Sequence, residues 1–265
     1  MMVVADVVVV GWLLVAGSFA DEPVSAGRLA AFAQRHGLVV TPTNGNQVIR
    51  YLATTRRWRV AGLSVGFLAS VAWALPQQRV YVNFLTAFAG WFAGALVAEA
   101  RLAHLERGPR RAASLVPRRV DSYRSRVVSA LLPASIGVSL VLAVTSLVVG
   151  TSRAAALIWF AAALAVLCGE SIVERRVLHR PQPLAPPDQL AADDAIRSRS
   201  LHVLAAAGTT LVLYCVLGQL AALRPALAGE AGQLVEAAAI LGVFVAPVIG
   251  LVAASARPRI PLRTA

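Results

Sequence analysis

The residues able to do chemistry in this chain are few and fall into three groups. Glu99 and Glu170 each stand at the end of an apolar run. A carboxylate at the edge of a hydrocarbon layer is costly, so it is either paired or used to take up a proton or a cation. Arg101, Arg175 and Arg176 lie close by in sequence and offer the pairing, which would put both acids at headgroup level. His202, Thr209 and Gln219 share one apolar run with Thr210, Tyr214 and Cys215. They can line a polar path, or they can spend their bonds inside their own bundle. Gly62-Leu63-Ser64-Val65-Gly66 spells the G-x-S-x-G of serine hydrolases. That motif works on a strand-to-helix turn, whereas here it lies inside an apolar stretch, where small-residue packing explains the same letters. No H-E-x-x-H, G-x-x-x-x-G-K-[ST] or C-x-x-C occurs, and His36, His104, His179 and His202 are scattered. The residue types therefore predict no catalytic centre, no metal site and no cofactor. Cys168 and Cys215 read as small core hydrophobes.

The positions of these residues are set by a strongly apolar chain. Of 265 residues 58% are hydrophobic and 14% charged, against roughly 45–50% and about 25% in a soluble domain. Every one of the 25 basic residues is Arg, and with 13 acids the net charge is +12. Such a charge in a soluble chain points to nucleic acid, but long apolar runs exclude that reading here. A bilayer core needs about 20 apolar residues as helix, and seven stretches approach this length: 3–20, 60–75, 80–98, 127–149, 154–169, 201–223 and 237–254. The first is expected to be a retained span, because residues 1–20 lack the basic region of a signal peptide.

Arginine counts orient the chain. Residues 21–59, 99–126, 170–199 and 255–265 hold 22 Arg, while the alternate connections hold only Arg79, Arg153 and Arg224. Short Arg-rich connections stay in the cytoplasm. The expectation is an all-α membrane protein of seven transmembrane helices, amino terminus outside and carboxy terminus inside, with three outward-pointing helical hairpins after the first span. Its parts are span 1–20, a cytoplasmic helical hairpin 21–59 on the inner membrane surface, a six-helix core 60–254 with inner loops 99–126 and 170–199, and a basic tail 255–265. Within 21–59, Val24 to His36 reads as a short amphipathic helix stopped by Gly37, and Thr41-Pro42 as the cap and first turn of a helix running into the second span.

Repetition is visible in the hairpins. Asp121-Ser122-Tyr123-Arg124-Ser125-Arg126 and Asp194-Ala195-Ile196-Arg197-Ser198-Arg199 both read D-x-x-R-S-R, and Arg57-Trp58-Arg59 keeps the R-x-R. Asp121 or Ser122, and Asp193 or Asp194, are expected to cap the following helices. Arg57, Arg59, Arg124, Arg126, Arg197 and Arg199 are expected to anchor them at anionic headgroups and fix their orientation. Gly62-x-x-x-Gly66 and Gly90-x-x-x-Gly94 predict close packing of the second and third spans. Loop 99–126 sums to +5 and 170–199 to zero, which marks the latter for a protein contact.

The stretch His36-Gly37-Leu38-Val39-Val40-Thr41-Pro42, with Arg50-Tyr51-Leu52, Arg56-Arg57-Trp58-Arg59 and the loop Arg111 to Arg119, resembles uncharacterised multi-pass integral membrane proteins of actinobacteria. The resemblance implies a bacterial plasma membrane and brings no activity or site residues. The expected function is that of a non-enzymatic structural or interaction component, with the bilayer's anionic headgroups and a membrane or cytoplasmic protein as partners and no nucleic acid. The alternative is a small transporter or permease using a path near His202, Thr209 and Gln219.

Overall fold

Apolar stretches with no strand-like alternation and few internal breakers fold as helices, and in the computed structural model they do so throughout. It describes residues 2–75, 83–105, 111–112, 120–149, 152–180, 182–183, 185–227 and 229–256. The outer turn 76–79, most of the loop 111–119 and the tail from 257 lie outside the described residues. Eight α-helices follow in order: α1 Met2–Asp21, α2 Ala26–His36, α3 Pro42–Ala74, α4 Phe84–Leu105, α5 Arg126–Val149, α6 Arg153–His179, α7 Pro187–Leu223 and α8 Gly229–Ser255. Among the described residues, five segments are long and apolar enough to cross a membrane: Phe84–Ala103, Arg126–Val149, Arg153–His179, Pro187–Ala226 and Gly229–Ser255.

Local sequence sets the helix ends. The Ser25 hydroxyl accepts from the Arg28 N–H, and Gly37 closes α2 in the left-handed conformation at φ 60°. Thr41 and Asn44 form a reciprocal capping box with Pro42 in the first turn. From there α3 runs unbroken for 33 residues, carrying the polar segment straight into the second apolar stretch.

Two expectations on caps are corrected. Asp121 lies in a 3-10 turn, Val120–Ser122, and the cap of α5 is Ser125, whose Oγ accepts from the Val128 N–H. Asp193 and Asp194 cap nothing, because α7 starts six residues earlier at Pro187 and both lie buried in its interior. An Asp and an Arg four residues apart on a helix pair with each other, so the polar run read as loop is helical. The connection between α6 and α7 shrinks to seven residues, 180–186. The inner connections meet in a two-residue antiparallel ladder, Arg111 opposite Pro183 and Ala112 opposite Gln182.

Helix α7 is the centre of the bundle. In its most apolar stretch 83% of residues are buried, against 22% to 39% in the other four segments. It packs on α4, α5, α6 and α8, while α3 and α4 form the most extensive pair. A Cβ on Gly62 would overlap the Gly90 carbonyl oxygen, one on Gly66 that of Thr86, and one on Gly94 that of Trp58. Both small-residue motifs are thus used within one chain. The α2–α3 hairpin docks on one end of the bundle, where Phe32, Val48 and Tyr51 pack against Leu102, Ala192 and Ile196.

Because those overlaps are with backbone, Gly62→Ala and Gly94→Ala should each cost about 1–3 kcal/mol. Gly137→Ala, whose Cβ would meet open space, should gain up to about 1 kcal/mol from helix propensity. Thermal unfolding in mild detergent micelles checks both signs.

Candidate functional site

A buried guanidinium must find acceptors for five N–H groups, so it gathers carbonyls and carboxylates around it. Three such assemblies lie at the end of the bundle where α4 and α6 finish and α5 and α7 begin. In the first, Arg197, fully buried, donates Nη1 to the carbonyls of Val177 at 2.9 Å and Leu178 at 2.8 Å, and Nη2 to Arg180 O at 3.2 Å and Asp193 Oδ2 at 3.0 Å. The other carboxylate oxygen of Asp193 accepts from Arg180. The carbonyls belong to the last turn of α6, whose unpaired acceptors and negative dipole end call for a cation.

In the second, Arg124 is buried against α6, pairing with Glu174 at 2.7 Å and Glu170 at 3.4 Å. Glu170 therefore does not pair with Arg175 or Arg176. The two copies of the repeat touch each other: Ser198 Oγ donates to the Tyr123 carbonyl at 2.8 Å, and the Tyr123 hydroxyl donates to Asp194 at 3.4 Å.

In the third, Glu99 is buried and accepts from the Tyr51 hydroxyl at 2.9 Å, with Ser200, Arg59 and Arg199 facing the same carboxylate. Arg101 lies instead 4.4 Å above the Trp58 ring. Burial, and then the Glu99 charge, push the Tyr51 hydroxyl up, so it stays protonated and donates. Arg199 donates to the Ala254 carbonyl and so closes the end of α8, as Arg197 closes α6. Tyr51 was not legible as a site residue, since nothing in sequence links positions 48 residues apart. Nor was Asp188, which accepts from Thr41 and Thr43, both at 2.7 Å, and ties the first turn of α3 to that of α7.

Of the other arginines expected at headgroups, Arg126 is exposed and Arg57 is exposed with a 3.4 Å pair to Asp21. Arg59 lies 6.0 Å from the Trp91 ring and lines a cavity of about 590 Å3 between α1, α3, α4 and α7. Arg28, Arg56 and Arg199 line it too, opposite Val15 and Phe19 of α1. The path residues do not converge on it. His202 is buried and donates Nδ1–H to the Ser198 carbonyl, 2.8 Å away. Gln219 bonds the Ser139 hydroxyl at 2.9 Å and the Ser139 carbonyl at 3.1 Å. His202 Nε2 and Thr209 Oγ1 are buried without a partner among the described residues. Ser64, the letter of the hydrolase motif, accepts from Trp12 Nε1 at 3.2 Å in mid-helix. Among the described residues no group of three His, Cys, Asp or Glu forms a metal-binding cluster.

Comparison with protein-family models, curated proteins and solved structures gives no match.

Removing the guanidinium from Arg197 leaves Asp193 and the α6 carbonyls buried and unsatisfied, so Arg197→Met should cost about 3–5 kcal/mol. Arg126→Met, on the surface, should change stability by less than about 0.5 kcal/mol. Unfolding of the two variants in the same detergent measures the contrast.

His36 provides a pH test. Its ring stacks on Phe32 at 4.3 Å with Nδ1 2.9 Å from the Phe32 carbonyl, and burial lowers its pKa from 6.5 to about 4. The unfolded chain takes up this proton at a higher pH than the folded one, so stability should fall as pH drops from 6.5 to about 4 and level off below. His36→Phe should flatten unfolding temperature across that window relative to the native chain.

Proposed function

We propose that this chain is a non-enzymatic, multi-pass component of a bacterial plasma membrane that acts through contacts made by its cytoplasmic segments. Several long apolar helices are compatible with a membrane protein. The finer reading, also ours, has seven spans with the amino terminus outside, α1 and the second half of α3 adding two to the five apolar helices. The observation that carries the non-enzymatic reading is the use α7 makes of its polar groups. Arg197 and Arg199 close the ends of α6 and α8, Ser198 holds the first repeat, and Gln219 ties α5 to α7. Groups spent on structural bonds are withdrawn from chemistry. A contact surface is at hand on the α2–α3 turn, where Val39 is 80% exposed beside Val40.

One observation favours the second reading, a small transporter: the unpartnered His202 Nε2 and Thr209 Oγ1 lie seven residues apart on α7. Cysteine substitutions along 201–223, in a chain freed of its own cysteines, separate the two. The structural reading expects no labelling by a water-soluble thiol reagent, and labelling at positions around Thr209 would establish a water-filled path. Reporter fusions after Arg153 and Glu230 should report outside and one after Pro186 inside; a reversed report at any of them breaks the seven-span topology.

A further inference from the structure

The four arginines at the cavity between α1 and α3 are poorly matched by the acids around them. Arg56 Nη1 reaches Glu22 at 3.5 Å and Arg28 reaches the same carboxylate at 4.0 Å, while Glu22 is 54% exposed. One solvated carboxylate shared at those distances satisfies neither arginine. The Nε atoms of Arg56 and Arg59 are buried with no partner among the described residues. Even with Glu22 and Glu99 both ionised, the guanidiniums of Arg28, Arg56, Arg59 and Arg199 leave two positive charges in excess around one cavity. Two buried Nε–H groups without an acceptor, set in a net positive surround, fit a phosphate.

The walls say what the phosphate is attached to. Val15 and Phe19, on the α1 side, are 51% and 57% exposed, so the cavity opens sideways, toward the surface that apolar side chains present to lipid. Leu63 and Trp91 form a wall common to this cavity and to a second of about 280 Å3 that is lined by apolar side chains only, among them Phe92, Pro247 and Leu251. That trough lies between α3, α4 and α8, with Pro247 of α8 on its wall. A free anion would use the arginines and leave the trough empty. A polar head of two negative charges or fewer joined to a hydrocarbon chain fills both, and the two volumes lie in or near the range of about 300–1,000 Å3 usual for ligand pockets.

We propose that this groove is a binding site for one anionic phospholipid, its phosphate held by Arg56 and Arg59 with Arg28 and Arg199 adding positive charge at the cavity wall, and an acyl chain lying past Leu63 and Trp91. The proposal rests on the membrane reading above. It goes beyond general headgroup attraction, because it assigns a bounded site, a stoichiometry of one and a preference set by two named residues. Arg126, exposed on α5, belongs to the general surface and has no part in it.

Trp12 and Trp91 line the cavity and report on it directly. The native chain is reconstituted into phosphatidylcholine vesicles carrying equal fractions of brominated phosphatidylcholine or brominated phosphatidylglycerol, and tryptophan quenching is compared. Quenching by the neutral lipid reports insertion, and its absence would sink the membrane reading independently of the site. Given insertion, the site predicts stronger quenching by the anionic lipid. Arg56→Gln and Arg59→Gln should each weaken that preference by roughly fivefold, with Arg126→Gln unchanged. Equal quenching of the native chain by the two lipids overturns the proposal whatever the variants do. A preference that survives both glutamines, or one abolished by millimolar inorganic phosphate, overturns it as well, the last result in favour of a free-anion site.

Discussion

The bundle depends on how the carbonyl ends of its helices are satisfied where water is scarce. A helix that stops inside a protein leaves four acceptors and a negative dipole end unpaired. Here the ends of α6 and α8 are both closed by arginines two residues apart on α7, Arg197 on Val177, Leu178 and Arg180, and Arg199 on Ala254. A lysine could not do this, since a compact ammonium lacks the planar fork that serves several carbonyls at once. The chain contains no Lys, and at these two positions arginine has a geometric use. Because one helix holds both ends, α7 must run through the centre, and it is there that burial is highest.

The arrangement around α3 follows a different constraint. Its contact with α4 is backbone on backbone through Gly62, Gly66, Gly90 and Gly94, so the two helices are drawn together with no side chain between them. On its other side α3 meets α1 through the Trp12–Phe67 stack at 4.8 Å and the Trp12 bond to Ser64. One to two turns farther toward the amino-terminal end of α3 stand Arg59 and Arg56, too long and too charged to pack against Val15 and Phe19. The cavity is the space left between a large apolar contact and a charged one. In the proposed topology the segment preceding the second span is basic so as to stay inside, and orientation and the shape of the groove then draw on the same residues.

Features set by local chemistry were legible in the sequence. Gly37 closes α2, Thr41 and Pro42 open α3, and the fourth apolar stretch, 127–149, agrees with α5 to one residue. Features set by partners distant in sequence were not. Asp193 and Asp194 read as the edge of a loop because composition counts charges without asking whether they pair, and here Asp193 is buried between Arg180 and Arg197. The D-x-x-R-S-R repeat was visible, yet its copies are used differently. Ser125 caps its own helix while Ser198 bonds the other copy, and Arg124 takes carboxylates where Arg197 takes carbonyls. Identical letters placed against different neighbours diverge in role. Glu99 and Glu170 were singled out correctly as the acids to explain, but their partners, Tyr51 and Arg124, lie 48 and 46 residues away and follow only from the packing of α3 on α4 and of α5 on α6.

The arginines separate two ideas that sequence reading merges. Counting charge on each side of a membrane treats every arginine alike, since orientation is decided while the chain is still extended. In the folded bundle they fall into distinct uses. Arg124, Arg197 and Arg199 are spent on carboxylates and helix ends, Arg57 and Arg126 face outward, and Arg59 stands at a cavity with an unsatisfied Nε. A guanidinium whose Nη groups the protein has taken, as in Arg197, keeps at most a buried Nε away from the cavity, and an exposed one is screened by water and salt. Only a partly buried arginine with donors to spare can choose between ligands. Selectivity for the proposed lipid must therefore reside in the few arginines that the fold has neither consumed nor released, and Arg56 and Arg59, at the cavity beside the α1 wall, are the pair that meets both conditions.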